Sequence, residues 1–299
     1  MSIQPVFPQH KTPEIPYSIN CRGRLLSLSK PVVMGILNLS PDSFYDGGRL
    51  NNRDALLKQA EQHLRGGASI LDVGGASSRP GAEFVEADVE LERTASAVGQ
   101  LRAEFPHAFI SVDTWRSRVA DAAVREGADI INDISGGELD PEIVEIAISN
   151  STPYVLMHML GSPKTMQDKP VYSDVTRDVI CSIQSRVATY RKRGLNDIIV
   201  DPGFGFGKSV SDNYKLLADL HRIGDIGCPL LVGFSRKSMI NKVIGTLPEQ
   251  ALNGTTVLNT VALLNGASIL RVHDANEARQ CILLIDALRN RQTVGATLG

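Results

Sequence analysis

Short runs of aliphatic and β-branched residues recur along this chain, and each is followed by a turn and then by a longer amphipathic stretch. The runs are VVMGIL (32–37), SILDV (69–73), AFISV (108–112), DIINDI (129–134), YVLMH (154–158), DIIVD (197–201), PLLVG (229–233) and SILRV (268–272). Near-continuous apolar runs of this length, without polar alternation, predict parallel strands buried on both faces. The stretches between them carry helical spacing. In RDALLKQAEQHLRGGA, residues Leu56, Leu57, Ala60 and Leu64 share one face and the pattern stops at Gly66-Gly67, a glycine helix end. WRSRVADAAVREGA stops at Gly127 in the same way. Val175, Val179, Ile183 and Val187 recur every fourth residue and end in Arg-Lys-Arg-Gly, with basic groups where a helix dipole favours them. Ala278, Ile282 and Ile285 mark the inward face of a last helix.

Eight such β-then-α units predict an α/β fold, a single (β/α)8 barrel. An open doubly wound sheet is the alternative, and polar residues at nearly every strand's carboxyl end favour closure. Ahead of the first strand, YSINCRGRLLSLSK reads as a β-hairpin turning near Arg22-Gly23, placed to cover the bottom of the barrel. The expected division is an extension over 1–30, a barrel over 31–289 and a frayed tail over 290–299.

Composition narrows the function classes. The 299 residues are 42% hydrophobic and 21% charged with a net charge of −2, an ordinary globular balance. With no basic block, a nucleic-acid partner is disfavoured. Cys21, Cys181, Cys228 and Cys281 have no C-x-x-C spacing, so reduced thiols in a cytoplasmic protein are expected. No secretory signal and no membrane span is legible.

A barrel of this type carries its chemistry at the carboxyl ends of the strands. Those positions hold Asn38, Asp72, Asp113, Asn132 with Asp133, Met157 with His158, Asp201, Ser235-Arg236-Lys237, and Arg271 with His273. One or two would be ordinary helix caps; a whole rim is more than capping needs. Carboxylates, an amide and a lysine complement a flat heterocycle with a paired N–H edge and a ring carbonyl. Arg79, Arg271 and His273 add cations, and Asn38 an oxygen suited to a hard metal. No G-x-S-x-G, H-E-x-x-H or placed cysteine supplies a nucleophile–base pair. The inventory points to group transfer from a phosphorylated substrate. DPGFGFGKS (201–209) looks like a phosphate loop, but Pro202 stands where the Walker pattern needs glycine and the spacing is G-x-G-x-G, so neither nucleotide motif is met.

Seven segments give the chain a family resemblance: MGILNLSPDSFYDGG (34–48), DVGGASSRPGA (72–82), INDISGG (131–137), LMHMLGSPKTMQ (156–167), DPGFGFGKS (201–209), LLVGFSRKS (230–238) and GASILRVHD (266–274). In order and spacing they resemble dihydropteroate synthase from about residue 32 to 287. The resemblance implies a (β/α)8 barrel that condenses 6-hydroxymethyl-7,8-dihydropterin diphosphate with 4-aminobenzoate, using Mg²⁺, and that sulfonamides inhibit. It implies pterin contacts from Asp113, Asn132, Met157, Asp201 and Lys237, and an aminobenzoate site from Phe44, Ser78, Pro80, Phe206 and Ser238. Arg79, Arg271 and His273 are implied for the diphosphate and Asn38 for the metal. The implied catalytic set is Asp46, Arg79, Lys237, Arg271 and His273. Diphosphate loss would leave a cation on the pterin methylene for the neutral aromatic amine to attack, so no strong base is needed. A homodimer through barrel helices is implied as well.

Three positions depart from the usual family spelling: Ala76 replaces a carboxylate, Tyr45 a small hydroxyl residue, and Ser40 a threonine. A pterin-dependent methyltransferase barrel is disfavoured by Ser235-Arg236-Lys237-Ser238; a non-catalytic pterin-binding paralogue stays open. His158 is expected to be a core histidine, Asp133 a cap or supporting partner, and Lys208 a solvated rim residue. Asp72 is left outside the catalytic set, and His10, His63, His107 and His221 are expected at the surface.

Overall fold

The computed structural model describes residues 17–39, 48–76, 85–161 and 171–289. An antiparallel hairpin comes first, β1 (Tyr17–Cys21) and β2 (Arg24–Leu28), turning at Arg22 and Gly23 as expected. The barrel follows as β3 (Val32–Asn38), α1 (Gly48–Arg65), β4 (Ala68–Gly74), α2 (Ala87–Glu104), β5 (Phe109–Asp113), α3 (Ser117–Arg125), β6 (Ile130–Asp133), α4 (Glu142–Ser149) and β7 (Tyr154–Met157). It continues with α5 (Val175–Lys192), β8 (Ile198–Asp201), α6 (Val210–Ala218), α7 (His221–Gly224), β9 (Leu231–Val232), α8 (Ser238–Ile244), α9 (Leu252–Leu264), β10 (Ile269–Val272) and α10 (Ala275–Arg289). All eight predicted barrel strands are present. The seventh is shorter than PLLVG suggests, two residues between Pro229 and Gly233.

The strands pair in parallel in the order β8-β7-β6-β5-β4-β3-β10-β9. A single parallel bridge between Val200 and Leu230 joins the two ends. The barrel, not the open sheet, is therefore the fold. Local sequence sets the helices. Asp174 caps α5 by accepting from the backbone N–H groups of Thr176 and Arg177, and the stripe Val175, Val179, Ile183, Val187 is buried. At α6, Ser209 and Asp212 form a reciprocal capping box.

Inside the barrel one layer is apolar on seven of the eight strands. Met34, Ile70, Ile130, Val155, Ile199, Leu231 and Ile269 pack with Ile19, Cys21, Leu26 and Leu28 of the hairpin. The hairpin is thus a plug that seals the amino end. Side chains alternate along a strand, so the next inward position lies two residues further on. From that layer the step leads to Ile36, Asp72, Asn132, Met157, Asp201, Gly233 and Arg271. On β5 the same direction runs from Ser111 to Asp113. One step of about 7 Å brings Asp72, Asp113, Asp201 and Arg271 into the interior above that apolar floor.

Candidate active site

The strand register brings the predicted residues to one rim. Asn38 pairs with Gly74, Gly74 with Asp113, and Asp113 with Asn132, while Met157 pairs with Asp201. At the centre lies Arg271. It donates from Nε to Asp72 at 2.7 Å and from a terminal nitrogen to Asp113 at 2.5 Å. Asn132 donates to both oxygens of Asp72 at 3.3 and 3.2 Å. Asp72 is fully buried, and it orients two site residues at once. From sequence, Asp72 beside Val73-Gly74-Gly75 fits a structural role as well as a diphosphate one and so stays outside the catalytic set; its partners Arg271 and Asn132 are distant in the chain, and the inward two-residue step is the signal that marks it as a site position. Although burial opposes the charge, Asp72 and Asp113 hold the Arg271 guanidinium above its ordinary range. Burial pushes the Asp113 carboxyl up, and the neighbouring Asp72, Glu90 and Asp133 add to this against the pull of Arg271.

Asp201 and Lys237 form the other half. Asp201 is buried and accepts one hydrogen bond, from Gly203 N at 2.7 Å. Among the described residues it forms no ion pair. Burial raises its pKa, and Lys237 opposes the shift. Lys237 is lowered to about 8 by burial, against the attraction of Asp201. Its ammonium donates to the Phe204 carbonyl and sits 4.9 Å from the centre of the Phe206 ring. The chain reaches this geometry through Arg236, whose φ of +60° lies in the left-handed region. Arg236 turns out to Asp274 at 3.1 Å, while Lys237 turns in. Met157 is buried with Ile134 and Met159, and Trp115 and Phe206 pack on this cluster. His273 Nδ1 lies 2.9 Å from Ser235 Oγ, which fixes the ring. Ser238 is exposed as the first residue of α8, and Asn38 is exposed at the end of β3.

Some expectations change. Lys208 is not on the solvated rim: it is 6% exposed and donates into a ring of backbone carbonyls, because the glycine-rich turn folds back over it. His63 is not at the surface. It is buried on α1 and its Nε2 lies 3.0 Å from the Ile36 carbonyl oxygen, because the helix presses that face onto β3. Asp133 is a turn cap, accepting from Ser135 N, Gly137 N and Tyr154 OH at 2.7, 2.8 and 2.6 Å. His158 is buried, and burial holds it neutral, with a pKa lowered to about 3. The expectations for Ser40, Phe44, Tyr45, Asp46, Ser78, Arg79, Pro80, His10 and the tail 290–299 lie outside the described residues.

This rim, with its paired carboxylates, half-buried lysine and apolar shelf, suits a flat polar heterocycle. A family model described as "Pterin binding enzyme" matches residues 34–273. The dihydropteroate synthase of Escherichia coli strain K12 is 42% identical over 268 residues, covering 89% of this chain and 94% of its own length. The solved synthase of Yersinia pestis, in complex with a sulfonamide drug, is 40% identical with a TM-score of 0.85, over 92% of this chain and 100% of its own. That of Xanthomonas albilineans, solved with 4-aminobenzoic acid, is 37% identical with a TM-score of 0.85, over 92% of this chain and 99% of its own. In complex with 7,8-dihydropteroate it aligns with a TM-score of 0.81 at 35% identity, over 91% and 99%. The chain belongs to the pterin-binding enzymes and, among them, to the dihydropteroate synthase family.

Proposed function

We propose that this chain is a transferase of folate biosynthesis, condensing 6-hydroxymethyl-7,8-dihydropterin diphosphate with 4-aminobenzoate to give 7,8-dihydropteroate and pyrophosphate. The observation that carries the reading is Asp201, a buried carboxylate that accepts one backbone N–H and pairs with no cation among the described residues. Burying a charge so sparsely satisfied is costly, and a ligand with two adjacent N–H groups removes that cost. The pterin amino group and N3–H form such an edge. Lys237 then reaches the ring oxygen and N5, Asp113 and Asn132 take the remaining ring nitrogens, and Met157 covers the ring face. Relatives solved with 4-aminobenzoic acid and with 7,8-dihydropteroate support the substrate pair.

The diphosphate side falls to Arg271 and His273. Arg271 uses two of its N–H groups on Asp72 and Asp113, and a guanidinium has five, so donors remain for departing oxygens. A fixed cation at that point stabilises charge as it develops. Phe206 and Ser238 are assigned to the aminobenzoate side. The roles of Phe44, Asp46, Ser78, Arg79 and Pro80 rest on the sequence motifs alone. Asn38 offers one neutral oxygen at a strand end, and no cluster of three His, Cys, Asp or Glu able to hold a metal occurs among the described residues. That donor set fits Mg²⁺ held largely by diphosphate oxygens and water, and when bound it would neutralise diphosphate charge.

A homodimer is part of the proposal. α8, α9 and α10 expose Val243, Ile244, Val257, Leu283 and Leu284 at 58%, 51%, 52%, 54% and 71%, an apolar face that a second copy would cover. Four free cysteines support a cytoplasmic setting. The deciding experiment mixes the purified chain with the pterin diphosphate, 4-aminobenzoate and Mg²⁺ and follows pyrophosphate and dihydropteroate. Absence of product with pterin still bound would favour the non-catalytic paralogue.

A further inference from the structure

Among the described residues, Lys208 is a buried lysine that the proposed chemistry does not use. Its ammonium lies 2.9 Å from the Gly203 carbonyl oxygen, 3.1 Å from that of Phe206 and 3.3 Å from that of His158, with His158 Nδ1 at 3.2 Å. Three protons thus face four acceptors, drawn from both ends of the glycine turn and from the segment after β7. The turn is pressed hard against that segment. Gly203 has φ +71°, and a Cβ there would fall 2.0 Å from the His158 carbonyl oxygen; at Gly207, φ +59°, one would fall 2.6 Å from that of Leu160. Backbone meets backbone, carbonyls converge, and the ammonium is the cation between them.

The same turn touches both pterin readers. Gly203 N donates to Asp201 at 2.7 Å, Phe204 O accepts from Lys237, and Phe206 lies under the Lys237 ammonium. Asn213 supports the turn from α6, accepting from Gly205 N at 2.7 Å and donating to the Lys208 and Ser209 carbonyls. The parts of 201–208 that face the site are therefore fixed by the side chain at 208, with Asn213 holding the turn from α6.

We propose that Lys208 is a positioning residue for substrate binding: it holds the Gly203–Phe206 turn at the height that aims Asp201 and Lys237 at the pterin and sets Phe206 beside the second substrate. Lys208 touches neither substrate. Burial lowers its pKa to about 7, in keeping with a lysine kept from water to do this. The inference rests on the assignment of Asp201 and Lys237 as pterin readers.

The test measures binding of 6-hydroxymethylpterin by quenching of Trp115, the chain's single tryptophan, together with KM for both substrates and kcat. Lys208→Met keeps the length and removes every donor. The expected result is a folded protein whose pterin dissociation constant and both KM values rise at least about ten-fold, with a smaller fall in kcat. Lys208→Gln, which keeps two donors, lies between Met and the unsubstituted chain. A residue that only held the fold together would lower the thermal midpoint and the active fraction, and so kcat, and leave dissociation constants and KM unchanged. That result for Lys208→Met overturns the proposal; if Lys208→Met does not fold, the same result for Lys208→Gln overturns it. Asp201→Ala is the control. If it binds the pterin as tightly as the unsubstituted chain, the site assignment has failed; if it loses binding while Lys208→Met keeps it, the Lys208 inference alone has failed.

Discussion

Two buried aspartates at opposite ends of the barrel show how one residue type serves structure and chemistry. Asp129, at the sealed end, is held by three donors: one oxygen accepts from Arg24 at 2.7 Å, Arg102 at 2.5 Å and Ile110 N at 2.8 Å. Arg24 belongs to the hairpin and Arg102 to α2, so this carboxylate ties the plug to the barrel wall. Asp201, at the open end, has one backbone N–H. Nothing in the fold needs Asp201 to be charged, and its unmet demand is the demand a substrate fills. Between these two, the carboxylate with two arginine partners is the structural one and the carboxylate with none is the one left for a substrate.

The largest effect expected from this contrast is on binding. Asp201→Asn should weaken pterin binding by about 10³-fold, as two charge-assisted hydrogen bonds are lost, and should leave the thermal midpoint unchanged or slightly raised; fluorescence titration and calorimetry check both. Asp129→Ala should do the reverse. Leaving Arg24 and Arg102 without their partner should cost roughly 3–5 kcal/mol of stability, while the pterin dissociation constant of the folded protein stays within about two-fold. If Asp129→Ala abolished binding in a folded protein, the division between the two ends would be wrong.

Next in size is pH. The binding forms are Asp201 ionised and Lys208 and Lys237 protonated. Burial raises the Asp201 pKa and lowers Lys208 to about 7 and Lys237 to about 8. Lys208 also faces Asp201, Lys237, Asp212 and the neutral His158. The kcat/KM for the pterin should therefore fall on the acid side as Asp201 takes up a proton, at a pH above the ordinary carboxylate range. It should fall on the alkaline side as pH rises through about 7 to 8. A profile flat from pH 6 to 9 would contradict it. The smallest kinetic effect belongs to the proposed dimer face: if a second copy covers it, Leu284→Glu should shift sedimentation towards the monomer and change kcat/KM by less than about two-fold.

Much of this arrangement is legible in the chain before folding. Apolar runs mark the strands, and a strand's period of two converts the apolar floor into a list of site positions. Met157, Asp201 and Arg271 lie one inward step beyond Val155, Ile199 and Ile269. What the chain does not display is which residues meet across the barrel. Arg271 and Asp72 are 199 positions apart, and no periodicity announces that contact. Lys208 misleads for a local reason: a lysine after glycines reads as solvent-exposed, but three positive φ angles at Gly203, Gly205 and Gly207 curl the backbone around it. His63 misleads because a polar residue in a helix reads as outward unless its carbonyl partner on the neighbouring strand is known.

The barrel closes through one bridge, Val200 with Leu230, and Val200 N donates to the Pro229 carbonyl at 2.9 Å. Pro229 has no N–H to return, and β9 contributes only Leu231 and Val232. Amide hydrogen exchange should therefore be fastest, among the barrel strands, along this seam. Asp201 stands directly after Val200 on one side, and Lys237 follows β9 on the other. A molecule held by both is a staple across the joint. Slower exchange at Val200 and Leu231 on binding, and tighter binding in any variant that stiffens the seam, are two readings of one linked equilibrium.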